Sequence, residues 1–77
     1  MVQELDTVVL TRDLSEYHLA EGDIGAVVHR YPDGAAFEVE FVTAGGNTVA
    51  VLTLTASDVR PLRDPEILHA RQLEPAR

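Results

Sequence analysis

The chain has no cysteine, no lysine and no tryptophan, only two tyrosines and two phenylalanines, and no long apolar run. Without cysteine there is neither a disulfide nor a thiolate-held metal to reinforce a hydrophobic core, and the lack fits a reducing compartment. The longest apolar stretches are a few residues, far below the roughly 20 that span a bilayer. No basic leader followed by an apolar segment opens the chain. A cytoplasmic protein that does not enter a membrane is the expectation. Basic residues are also scarce, six arginines against thirteen acids, for a net charge of −7. Binding to nucleic acid needs cations for the phosphates and exposed aromatics for the bases. This chain is short of both, so no nucleic-acid partner is expected, although an acidic body can imitate nucleic acid and occupy a basic protein.

The sequence holds enough to fold once. Its 77 residues suffice for a single core, and 45% hydrophobic with 25% charged residues is the balance of an ordinary globular domain. A domain of this size buries only roughly 60% of the surface its unfolded chain exposes, so its stability is modest or shared with a partner. The charge is uneven. Residues 1–62 contain ten acids and three arginines and carry all seven net negative charges, whereas residues 63–77 balance three acids with three arginines.

Short β-branched and alternating runs separated by turn residues predict antiparallel strands. The first covers residues 6–11, with Val8 and Leu10 on one face. Residues 12–23 then make a long folded-over loop, with Leu14, Tyr17 and Leu19 as anchors against the body. A second strand over 24–31 ends at Pro32-Asp33-Gly34, a turn sequence, and its Val28 is expected inward with His29 outward. The third, over 36–42, alternates most clearly: Phe37, Val39 and Phe41 on a buried face, Glu38 and Glu40 on a wet one. Ala44-Gly45-Gly46-Asn47 leads to a fourth strand over 48–55, apolar on both faces and therefore expected to be central. Ala56-Ser57-Asp58 reads as one helical turn, and 59–62 as a short closing strand that Pro61 confines to an edge.

This order predicts an all-β fold, a small five-stranded SH3-like barrel over residues 1–62. An OB-type barrel would need longer strands and a helix between the third and fourth, where only a four-residue turn is present. The tail, 63–77, begins with an N-cap and a proline at the first helical position, Asp64-Pro65. A short helix there would lay Ile67, Leu68 and Leu73 on the barrel and stop at Pro75.

The glycines of Gly22-Asp23-Ile24-Gly25 serve backbone geometry, Gly22 a turn and Gly25 a close approach. A phosphate cradle would lead into a helix and be followed by a basic residue, and neither occurs here. His18, His29 and His69 have no second ligand at a metal-site spacing, so no metal and no cofactor is expected. Ser15 and Ser57 sit in a loop and before a turn, where backbone capping accounts for them. Acid–base chemistry needs carboxylates whose pKa values burial drives apart, whereas Glu38 and Glu40 lie on a wet face and read as solubility and partner-facing charges. No catalytic residues are assigned and the chain is not expected to be an enzyme.

The remaining candidates form a partner-binding set. Asp13, Glu16 and Tyr17 come from the long loop, Tyr31 and Asp33 from the second turn, and Glu38 and Glu40 from the third strand. In an SH3-like barrel the two loops flank one groove, and tyrosines among carboxylates suit an arginine- or lysine-bearing protein. Tyr17 serves equally well as a pin holding its loop to the barrel, and the sequence leaves both roles open.

Leu5 to Thr11, Leu14 to Leu19, Gly22 to Val28 and Phe37 to Phe41 together resemble the small bacterial proteins of domain-of-unknown-function family 4926, over about residues 3–62. The glycine-bearing element also resembles the SH3-like domain of the nitrile hydratase β subunit. The first likeness implies a short stand-alone protein, compatible with an antitoxin or immunity protein docking a basic partner. The second implies an accessory or assembly domain of an enzyme complex, itself without chemistry. A homodimer through exposed strand edges is a further expectation open to test.

Overall fold

The computed structural model describes residues 2–73. Five strands form in chain order: β1 (Thr7–Leu10), β2 (Ile24–Arg30), β3 (Ala36–Val42), β4 (Thr48–Thr55) and β5 (Val59–Pro61), with a single 3₁₀ turn at Ser15–Tyr17 between β1 and β2. All neighbours pair antiparallel in one sheet of order β4-β3-β2-β1-β5. The alternation in β3 is realised as written: Phe37, Val39 and Phe41 are buried, while Glu38 and Glu40 point to the other face and are half-buried. Val8, Leu10, Val27, Leu54 and Val59 complete the inward layer, and Leu14 and Leu19 of the long loop join it. Each such apolar side chain contributes roughly 1.5–3 kcal/mol of burial.

The number and direction of the strands follow the sequence pattern, but the sheet is not closed. Among the described residues no pairing joins β4 to β5. β5 is three residues long and ends at Pro61, which has no N–H to offer a further strand. β4 is therefore an edge and not the centre. Its inward residues Leu52 and Leu54 pack on the core, while outward Val51 stays 52% exposed. Apolarity on both faces here marks one packed side and one uncovered side.

Three further local expectations change. In β2 Val27, not Val28, points inward, and the register slips between Val27 and His29. A bulge places two residues opposite one, so Val28 and His29 both face outward against Glu38. Tyr17 does not anchor its loop, being 42% exposed; the anchors are Leu14 and Leu19, joined by a small antiparallel bridge. The tail forms no helix over its described residues, and Ile67 and Leu68 are exposed. Glu66 folds back instead to accept a hydrogen bond from the Arg63 N–H at 2.6 Å, which makes Asp64-Pro65 a turn. Pro75, the expected stop, lies outside the described residues.

Gly25 behaves as its position demands. A Cβ there would stand 2.7 Å from Val39 Cγ1 and 2.8 Å from Phe41 Cε1, so the inward side chains of β3 occupy the space that a side chain at position 25 would need.

Candidate functional site

Two regions gather polar groups, one on the outward face of the sheet and one around the start of β2 at Ile24.

The first lies on the outward face of β2, β3 and β4. Cross-strand pairing sets His29 opposite Glu38 and Glu38 opposite Thr53. The Glu38 carboxylate accepts from the Tyr31 hydroxyl at 2.8 Å and from Thr53 Oγ1 at 2.5 Å. Those two bonds, the Thr53 one foremost, hold the Glu38 pKa below the usual carboxylate range, and the same contact raises that of Tyr31. The His29 ring meets Tyr31 edge-on at 4.8 Å, and its Nδ1 is 3.4 Å from Glu4 Oε2. One step along β3, Glu40 accepts from Thr48 Oγ1 at 3.0 Å. Val28 and Val51, 46% and 52% exposed, lie on this face too. The result is a patch of fixed negative charge bordered by bare valines and a tyrosine.

The second region is where the long loop, the β3–β4 hairpin and the tail converge around an apolar groove of about 350 Å³. Leu19, Ile24, Phe41, Val42 and Val49 line it from the sheet side and His69, Ala70, Arg71 and Leu73 from the tail. At its rim Asp23 is fixed by its own loop: Oδ2 accepts the Ala20 N–H at 2.9 Å, the Asp23 N–H donates to Ala20 O at 2.9 Å, and Gly22 takes a φ of 94°. Arg71 Nε donates to Asp23 Oδ1 at 2.8 Å and Nη2 donates to Oδ2. Nη2 also reaches the carbonyl of His18 at 2.9 Å. Burial pushes the Asp23 carboxyl upward, but the Arg71 guanidinium and the Ala20 N–H together outweigh it and leave the pKa lowered.

Of the sequence-predicted residues the structure joins Tyr31 with Glu38 and leaves Glu40 beside them. Asp33 and Asp13 serve turns: Asp33 Oδ1 accepts the Ala35 N–H at 2.9 Å, and Asp13 Oδ1 accepts the Glu21 N–H at 2.8 Å. Glu16 and Tyr17 lie exposed on the 3₁₀ turn, whose loop enters the opposite end of β2 from Tyr31. The sequence reading missed Val28, Val51, His29, Asp23 and Arg71 as site residues. The double-faced apolarity of β4 was a usable signal for Val51, and the bulge hid Val28. Nothing in the local sequence links Arg71 to a residue 48 positions earlier.

Among the described residues no group of three or more His, Asp or Glu could hold a metal ion, and no helix is long and apolar enough to cross a membrane.

The profile of the family described as a domain of unknown function (DUF4926) matches residues 4–61. The match spans most of the chain, so this protein belongs to that family. No curated protein and no solved structure matches it, and the likeness to the nitrile hydratase β subunit finds no support. All five strands fall inside the matched stretch, and the tail with Arg71 falls outside it.

Proposed function

We propose that this protein is a non-catalytic, acidic protein-binding module that docks a basic partner through the outward face of β2, β3 and β4. The observation that carries the reading is the combination on that face of two carboxylates, Glu38 and Glu40, the first held ionised by its hydrogen bonds, with exposed Val28, Val51 and Tyr31. Apolar and aromatic side chains supply contact energy, and a charged surround steers and selects the partner. The carboxylates with displaced pKa values, Asp23, Glu38, Asp58 and Glu66, all move downward. That favours permanent charge and is the opposite of what a general acid requires.

An antitoxin or immunity protein that neutralises a basic protein in the cytoplasm is the form we favour. An accessory or assembly domain of an enzyme complex is the alternative. The test is a pull-down from the native host with the wild-type chain and with Glu38→Lys/Glu40→Lys, the bound proteins identified by mass spectrometry. A partner captured by the wild type in low salt and lost by the double variant supports the reading; equal capture by a folded double variant defeats it. A small basic protein points to the antitoxin form, and a metabolic subunit to the accessory form. The uncovered edge of β4 also allows pairing with a second copy, which light scattering after size exclusion detects.

A further inference from the structure

We propose that the rim of the groove between the long loop and the β3–β4 hairpin is a binding site for an extended, arginine-centred segment of another protein, and that the chain's own tail holds this rim as an internal competitor. This goes beyond docking on the outward face, since it concerns the other end of the sheet and different residues.

The receptor is assembled without help from the tail. Asp23 is locked by two hydrogen bonds to Ala20 and by the turn at Gly22. His18 ends the 3₁₀ turn in the left-handed region at a φ of 61°, and its carbonyl accepts from the same guanidinium nitrogen that reaches Asp23 Oδ2. A carboxylate paired edge-on with a guanidinium, with a carbonyl on the outer nitrogen, recognises arginine specifically; an ammonium cannot meet all three acceptors in one plane. Beside it the sheet side offers apolar Ile24, Phe41, Val42 and Val49, and about 350 Å³ stays open between them and the tail, space for a few more side chains.

The occupant's chemistry is written by what sits there now, Ala70-Arg71-Gln72-Leu73, a cation flanked by small and apolar residues. The attachment is light. The tail has no helix, and Arg71 is tied to the loop by an ion pair at the rim, not by burial. Such a pair is worth little at a partly exposed site, so a foreign segment competes on near-equal terms. Asp23, His18 and the sheet-side lining all lie within residues 4–61 of the family match, while the arginine that fills the site lies outside it. The body's net negative charge favours a basic visitor.

The probe is an end-blocked synthetic peptide with the sequence of residues 68–73, titrated into the full chain while backbone amide NMR shifts are followed. Wild-type chain, Arg71→Ala, and Arg71→Ala combined with Asp23→Asn are compared. Removing the internal competitor raises apparent affinity by the inverse of the open fraction, about three- to fivefold for a tail docked most of the time. Saturable shifts at His18, Asp23, Val42 and Val49 are expected in Arg71→Ala, weaker binding in the wild type, and loss on adding Asp23→Asn. A peptide carrying Arg71→Gln should bind at least about tenfold more weakly. Equal affinity for wild type and Arg71→Ala, indifference to Asp23→Asn, or equal binding of the glutamine peptide each overturns the proposal. Retained dispersion of the β3 amides controls for folding, and Arg71→Lys, which keeps the charge but loses the fork, should open the groove partway. The two readings fail separately: the peptide result bears on the groove alone, the Glu38→Lys/Glu40→Lys pull-down on the outward face alone.

Discussion

The sheet and the tail are held by different forces. Between Thr7 and Pro61 the chain is fixed by a shared apolar layer in which Val8, Val27 and Val39 are fully buried. From Arg63 to Leu73 it is fixed by charge: Arg60 to Glu66 through a two-pronged pair at 2.8 Å and by Nη2, and Arg71 to Asp23. Burial is insensitive to pH and salt, whereas ion pairs at a half-open surface weaken with both. The molecule therefore has a firm body and an appendage that conditions can release, and each of the following measurements presses on that division.

The largest effect belongs to the body. Phe41→Ala removes a buried ring between β2 and β4 and should cost about 3–5 kcal/mol, a large part of the stability of so small a domain. Denaturant unfolding followed by circular dichroism should show the sheet and the tail lost together. Gly25→Ala is next, because its Cβ would strike Val39 Cγ1 and Phe41 Cε1 under 3 Å. Those two side chains must shift, at about 1–3 kcal/mol. A neutral result would mean that the core yields more easily than a close-packed one should.

Much of that body is legible in the sequence because its signals are local and repeated. The period-two pattern from Ala36 to Val42 fixes the inward and outward faces of β3 within a single strand, and Pro32-Asp33-Gly34 with the glycines at 45 and 46 mark the turns. What is not legible depends on count or on distance. One extra residue at the Val27–His29 bulge reverses the expected facing of Val28, and no composition rule reports it. The apolar outward face of β4 cannot say whether a neighbouring strand covers it. Asp64-Pro65 carries a helix-start signal, but Arg60 captures Glu66 and bends the chain into a turn, a tertiary contact overriding a local one. The candidate site divides the same way: Glu38 and Tyr31, seven residues apart, were found, and Asp23 with Arg71 was not.

Asp58 tests whether charge also matters inside the body. Its carboxylate caps the β4–β5 turn by accepting the Thr55 N–H at 2.9 Å and pairs with Arg12 Nε at 2.8 Å, and these bonds lower its pKa. Asp58→Ala should cost about 1.5 kcal/mol, the low end for hydrogen bonds to a charged group at the surface, seen as a lower melting temperature with the β3 amide pattern unchanged. A loss as large as that of Phe41→Ala would blur the contrast between body and tail. Arg71→Ala should move the melting temperature least among these substitutions, by less than about 1 kcal/mol in stability, while tail amides gain fast motion in heteronuclear relaxation.

Acid should separate the two regions within one unmodified chain. The Arg60 guanidinium, first, and the Arg63 N–H hold the Glu66 pKa down to about 2, against an unfolded value near 4.3. A carboxylate lowered in the folded state stabilises it fully above the unfolded pKa and loses that contribution as pH falls through the folded one. Asp23, also lowered, adds to the loss in the same direction. Between about pH 4.5 and 2 Glu66 should therefore let go of Arg60, with the Asp23–Arg71 pair weakening in the same direction, whereas the sheet loses only the surface contributions of Glu38 and Asp58 and keeps its apolar layer of Phe37, Val39 and Phe41. Relaxation measurements at pH 6, 4 and 2 should show residues 66–73 becoming mobile while β2 and β3 stay rigid. If tail and sheet lose order at the same pH, the tail is bound by more than charge, and a visiting segment would face a competitor much harder to displace.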